Sequence, residues 1–180
     1  MRIKANETMA IIIDYQEKLV PVMNEKEIFI ANSAILINGL KSLEIPMVVT
    51  QQYTKGLGNT IGEISNAIGE FEAHDKITFS GAENESIMKA IKETKAKNVI
   101  ICGCEAHICV LQTVIDLLEL DFNVIVVEDC IASRKERDMF SALVRAEKEG
   151  ALITTYEAIL FELCERAGND TFKYISKLIR

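Results

Sequence analysis

NVIICGCEAHICVLQTVIDLLELDFNVIVVED, Asn98 to Asp129, is the stretch that decides the fold. It opens on a fully apolar run, Asn98 to Gly103, and ends on a second, Asn123 to Asp129, with a helical segment, Ile108 to Leu120, between them. Apolar runs without alternation belong to strands covered on both faces, and a helix between two such strands is the crossover of a parallel sheet. Working outward, Met9 to Asp14 (MAIIID) is a β-branched run that ends in an acid. A helix is predicted over Glu25 to Leu43, with Ile28, Ala31, Ile35, Leu36, Leu40 and Leu43 at helical spacing. Pro46 closes it and opens the strand PMVVTQ. A further helix, about Lys135 to Glu149, is stopped by Gly150, followed by the strand ALITT and two short helices from Tyr156 and Asp170. The polar, Gly-containing stretch from Gln51 to Phe79 breaks the rhythm, with one short strand expected around Asp75 to Thr78. A loop of that length in a compact domain is more often functional than idle. The pattern predicts one α/β domain over residues 1–180: three layers, α/β/α, around a mostly parallel, Rossmann-like sheet of about six strands.

Composition narrows the function. The chain has 180 residues, 49% hydrophobic and 26% charged, with nine Gly and two Pro, which excludes collagen-like and disordered classes. A chain of this length buries roughly 70% of its unfolded surface. Its net charge of −7 provides no general attraction to nucleic acid or anionic membrane. Charges break every long apolar stretch before the roughly 20 residues a membrane span needs. The opening MRIKANETMA lacks a signal peptide's apolar segment, so a cytoplasmic location is expected. Five cysteines, an odd number in such a chain, are expected to be reduced thiols rather than a disulfide framework.

In an open parallel sheet, ligands bind beyond the carboxyl ends of the strands. The residues to inspect are therefore Asp14, Gln51, Lys76 or Phe79, the run Gly103 to Cys109, and Asp129. Asp14 is equally readable as a turn residue and as a functional carboxylate. Cys109 has the distinctive address among the cysteines, just past a strand as a helix begins. Free N–H groups and the positive helix end there are expected to lower its pKa, and the same groups suit an oxyanion. Cys102 and Cys104 alternate around Gly103 on the strand, where packing is the simpler role. The C-x-C-x4-C spacing of Cys102, Cys104 and Cys109 fits no usual zinc pattern, and KGLGNTIGE lacks most of a phosphate-loop fingerprint. His107 lies two residues before Cys109, so on a helix it points away from the thiol. Lys76 taken alone reads as a solvated surface lysine.

Three segments in order, IIIDYQ, HDKITFS and GCEAHICVLQT, resemble the isochorismatase-like cysteine hydrolases. That superfamily's D-x-Q … K … G-x-x-[TA]-x-x-C-V pattern maps onto Asp14 with Gln16, Lys76, and Cys109 with Gly103, Ala106 and Val110. TQQYTKGLGNTIGE, VVEDCIASRKERD and FKYISKLIR extend the resemblance along essentially the whole chain, toward the subgroup of isochorismatase-domain proteins whose substrates are mostly undefined. The resemblance implies an Asp14–Lys76–Cys109 triad. In it Cys109 attacks an amide carbonyl, Asp14 moves the proton, Lys76 holds the anions, and a thioester is hydrolysed by water. A carboxylate serves as such a base when burial raises its pKa, and Ile11 to Ile13 offer a sheltered setting. The resemblance also implies a cis peptide between Cys104 and Glu105, with the N–H groups of Glu105 and Cys109 aimed at the oxyanion.

Gln16, Tyr53, Phe79, His107 and Ile108 are expected to line the pocket, although ordinary packing is the plainer reading of Tyr53 and Phe79. The metal-holding D-x-H … H set of the nicotinamidase branch is missing, so no metal and no cofactor is expected, and nicotinamide is disfavoured as substrate. Isochorismate itself is disfavoured by the lack of a basic cluster beyond Lys76 and Lys55. The expected partner is a small-molecule substrate, with a homo-oligomer, dimer or larger, as in the family. Two other readings stand beside this one: a protein-interaction module that keeps the fold, and a redox sensor with Cys104 resolving Cys109.

Overall fold

Strand β1 (Thr8–Ile13) lies inside the sheet, with all six residues buried. It pairs in parallel with β2 (Met47–Gln52) on one side and β4 (Asn98–Cys104) on the other. Outside these lie β3 (Ala73–Lys76) next to β2, β5 (Asn123–Ala132) next to β4, and β6 (Leu152–Thr154) at the far edge. The resulting order, β3-β2-β1-β4-β5-β6, is a six-stranded sheet in which every pairing is parallel. The computed structural model describes residues 2–180.

Alternation along the strands divides the interior into two layers. Ala10 and Ile12 of β1, with Ile100, Cys102 and Cys104 of β4, face α1 (Lys26–Ser42), α3 (Gly62–Ile68), α7 (Tyr156–Cys164) and α8 (Asp170–Leu178). Met9, Ile11 and Ile13, with Val99 and Ile101, face α4 (Glu85–Glu93), α5 (Leu111–Glu119) and α6 (Glu136–Glu149). Each fully buried isoleucine of β1 contributes about 1.5–3 kcal/mol relative to exposure, as an upper bound. Two-sided burial is the physical reason why these strands carry no polar alternation.

The stretch from Gln51 to Phe79 is more regular than its composition suggests. It holds α2 (Thr54–Leu57) and α3, and its strand runs Ala73–Lys76, ending two residues sooner than expected. Helix α4 has no counterpart among the elements expected from sequence. Its signals are nonetheless present: Asn84 accepts from the N–H groups of Ser86 and Ile87, and Ile87, Met88 and Ile91 are buried on one side. The helix expected from Ile108 begins earlier, as one turn of π-helix, Ala106–Val110, that leads into α5.

The sheet order changes direction between β1 and β4, where ligand crevices form in folds of this kind. The two strands approach very closely there. Gly103 has φ +135°, and a Cβ on it would collide with the carbonyl oxygen of Ile13. Only glycine supplies that conformation and that clearance.

Candidate active site

Asp14 follows β1 directly, in the left-handed region at φ 53°, which aspartate tolerates better than most residues. It is wholly buried. Its Oδ1 accepts from Thr50 Oγ1 at 2.6 Å and its Oδ2 from Lys76 Nζ at 2.8 Å. Lys76, the last residue of β3, is only 2% exposed. Besides Asp14, its ammonium donates to Gln52 Oε1 (2.7 Å), the Phe79 carbonyl (3.1 Å) and, at longer range, the Thr78 carbonyl (3.4 Å). An ammonium has three protons, and these acceptors occupy them. The surface-lysine reading of Lys76 is thereby replaced by a buried, fully engaged charge pair. Such a pair persists only with this degree of hydrogen bonding, because desolvating two charges is costly.

Cys109 sits in the π-turn between β4 and α5, 5% exposed. Its carbonyl accepts from Thr113 Oγ1 at 2.6 Å, and Thr113 in turn accepts from the Gly81 N–H at 2.9 Å. The expected lowering of its pKa by the helix start is corrected by this setting. Burial pushes the thiol up to about 12, the Asp14 carboxylate adds to the rise, and the Lys76 ammonium opposes it. Cys109 is the fourth residue of its turn and lies beside a carboxylate, so desolvation and like-charge repulsion outweigh the helix end. The arrangement is a neutral thiol beside a proton acceptor, not a preformed thiolate.

The Cys104–Glu105 peptide is cis. The Glu105 carbonyl accepts from the N–H groups of Ile108 (3.0 Å) and Val110 (3.2 Å), on either side of Cys109. Of the residues expected to line a pocket, Tyr53 and Phe79 are about half exposed at the rim of the Lys76 site. The Tyr53 N–H donates to the Lys76 carbonyl, and Phe79 supplies the carbonyl noted above. Ile108 is partly buried.

Gln16 and His107 are placed differently from that expectation. Gln16 is wholly enclosed: its Nε2 donates to the carbonyls of Gln52 and Gly58, and its Oε1 accepts from the Gln52 N–H. It fastens the α2 loop beneath the site. His107 bonds through Nδ1 to Ser133 Oγ at 2.9 Å and has Nε2 4.0 Å from Asp138, so it faces α6.

Three contributors escaped the sequence reading: Thr50, Gln52 and Thr113. The strand-end rule pointed to Gln51, one position too early; Gln51 instead donates to Thr60. A period-2 reading of TQQ from β2 would have separated the two glutamines. Cys102 and Cys104 pack in the layer opposite Cys109, with the Cys104 Sγ 3.1 Å from the Asp14 carbonyl oxygen. Among the described residues, no group of three or more His, Cys, Asp or Glu side chains is placed to hold a metal ion. Nor is any helix there long and apolar enough to cross a membrane.

Comparison with known proteins agrees with this fold. The profile of the isochorismatase domain matches residues 8–158. Isochorismatase domain-containing protein 2 of Danio rerio is 35% identical over 179 residues, covering 99% of this chain and 89% of that protein. A solved structure described as MAR1 ribonuclease from Caenorhabditis elegans superimposes with a TM-score of 0.93 at 37% identity, covering 99% of this chain and 92% of that one. The ycaC gene product of Escherichia coli, described as an octameric hydrolase of unknown specificity, shares the fold at TM-score 0.94 and 24% identity, covering 99% and 89%. With an aspartate directly after β1, a lysine ending β3 and a cysteine in the turn after β4, on an all-parallel sheet, this chain belongs to the isochorismatase family of hydrolases.

Proposed function

We propose that the chain is a cysteine hydrolase that cleaves a small amide or related C–N bond through a thioester on Cys109, without a metal. The observation that carries this reading is the buried Asp14–Lys76 pair, 2.8 Å apart, whose charges both act on the Cys109 thiol. Cys109 Sγ attacks the carbonyl carbon as Asp14 takes the thiol proton. The resulting oxyanion is held by the N–H groups of Glu105 and Cys109. Asp14 then returns the proton to the leaving nitrogen, the C–N bond breaks, and ammonia or an amine departs from the thioester. Water, deprotonated by Asp14, hydrolyses the thioester to a carboxylic acid and restores the thiol. Lys76 keeps Asp14 oriented throughout and balances the negative charge that passes through the site. Independence from metal rests on sequence: Gln16 stands where the metal-holding branch carries histidine, and the chain has only two histidines. Half-exposed Tyr53 and Phe79, with partly buried Ile108, suit a small substrate with an apolar portion.

The reading is tested with p-nitrophenyl acetate and a panel of small primary amides, comparing wild type with Cys109→Ala. The expected result is a p-nitrophenolate burst, an acetylated Cys109 in the peptide mass map, and loss of both in the variant. Turnover that survives Cys109→Ala, or an unmodified Cys109 during turnover, overturns it. An RNA oligonucleotide belongs in the panel because one structural relative is described as a ribonuclease. A chain of net charge −7 attracts RNA poorly, and no cleavage is expected. A folded protein inert to every probe transfers the site to the interaction-module reading. We further propose a homo-oligomer, in line with the octameric state described for the Escherichia coli relative; light scattering at two concentrations measures it.

A further inference from the structure

Two consecutive residues just past β5 hold two alternate residues of the turn that carries Cys109. Arg134 Nε donates to Glu105 Oε1 at 2.7 Å, and Ser133 Oγ is 2.9 Å from His107 Nδ1. The burial of these contacts is one-sided. The Arg134 side chain is 56% exposed, whereas the Glu105 carboxylate is only 13% exposed and Ser133 is 1% exposed. A carboxylate that enclosed needs a partner, and Arg134 is the charged group bonded to it. Ser133 is itself anchored from the other side, since its carbonyl accepts from the Asn24 N–H at 3.0 Å. Asp138 of α6, 4.0 Å from His107 Nε2, adds a looser third contact.

The gripped residue is the one whose backbone matters most to the chemistry above. The Glu105 carbonyl closes the turn through Ile108 and Val110. Its N–H, on the other side of the same α-carbon, is the proposed oxyanion donor. The Arg134 contact thus restrains the residue whose backbone carries that donor. We infer that Arg134 is a positioning residue that aims the Glu105 N–H at the developing oxyanion, with Ser133 and His107 as the second arm of the same clamp. The inference rests on the cysteine-hydrolase reading and adds to it a contribution from outside the triad. Because an oxyanion forms only on the way to the tetrahedral intermediate, loss of the clamp lowers the rate of acylation and leaves ground-state binding in place.

Two probes of Cys109 separate aiming from mere support of the turn. p-Nitrophenyl acetate acylates the sulfur through an oxyanion; iodoacetamide alkylates it by displacing iodide from a saturated carbon, with no oxyanion. In Arg134→Gln and Glu105→Gln, acylation is expected to fall roughly 10- to 100-fold with KM little changed. Alkylation of Cys109 should stay within about twofold of wild type in both. The double variant should be no slower than the worse single one, because both remove one contact. Arg134→Lys should recover part of the loss, and it covers the case in which Arg134→Gln fails to fold, with Ser133→Ala as a milder probe of the second arm. Acylation unchanged in Arg134→Gln, or acylation and alkylation falling together, overturns the clamp. Reaction that persists in Cys109→Ala instead overturns the hydrolase reading beneath it, so the two failures are distinct.

Discussion

The two faces of the sheet hold thiols in unlike company. On one face Cys102 and Cys130 are wholly enclosed around Tyr15, and Cys104, equally enclosed, lies against the Asp14 carbonyl. The Tyr15 hydroxyl shares a 2.6 Å hydrogen bond with Ser33 and donates to the Cys130 carbonyl at 3.0 Å. On the other face Cys109 lies beside Asp14 and Lys76. Burial pushes Cys102 and Cys109 alike up to about 12. Enclosure alone therefore does not distinguish a structural thiol from a nucleophile. A nucleophilic thiol needs a proton acceptor and a balancing charge beside it. Asp14 and Lys76 act on Cys109 and on Cys104 but not on Cys102 or Cys130. Of the first two, Cys104 is wholly enclosed while Cys109 keeps a small exposure.

The sharpest way to break that comparison is to remove one thiol from each face. Cys109→Ala should lower p-nitrophenyl acetate turnover by more than about a thousandfold, whereas Cys102→Ala should leave it within about threefold. Equal losses would mean that the two faces do not differ as described. Next in size is Lys76→Met, which leaves the Asp14 carboxylate buried with Thr50 as its remaining side-chain partner. The expected cost is about 3–5 kcal/mol in urea unfolding, together with loss of acylation.

A third test uses pH. The thiols of Cys102, Cys104, Cys109 and Cys130 are raised from an ordinary value of 9.0, so the folded chain keeps protons that the unfolded chain has already released. The unfolded state then binds fewer protons, and stability is full below about pH 9 and falls as pH rises toward about 12. The urea midpoint should drop between pH 8 and pH 10.5. Each thiol contributes on the order of 1 kcal/mol per pH unit in that window. Cys102→Ala and Cys109→Ala should each flatten the slope by a similar amount, and unequal flattening would show that the faces differ in burial as well. The smallest effect is expected from Tyr15→Phe, at about 1–2 kcal/mol for the lost hydroxyl and the stranded Ser33, with Cys109 acylation untouched.

Much of this was legible before folding. The apolar runs Met9 to Asp14, Asn98 to Gly103 and Asn123 to Asp129 marked strands buried on both sides, because only such strands dispense with polar alternation. Asp14, Lys76 and Cys109 were readable as strand-end residues in a family pattern. Less legible were the groups that act through space. Gln52 reaches Lys76 across 24 residues, and Thr50 reaches Asp14 across 36. Arg134 bonds Glu105 from 29 residues away. Nothing in local spacing encodes those distances. Helices α2, α3 and α4 were missed because short helices joined by polar turns resemble loop in composition.

The sequence by itself therefore determined the layer architecture, the parallel sheet and the residue types at the strand ends, since periodicity and apolar runs are local properties of the chain. Only the tertiary structure decided which way those residues face and what stands next to them. It turned Gln16 and His107 into braces and Lys76 into a buried partner of Asp14. It also set Cys109 as a neutral thiol rather than a thiolate. The physical reason is that desolvation and Coulomb interaction depend on distance through space, and a strand order of β3-β2-β1-β4-β5-β6 brings together groups that the chain keeps far apart.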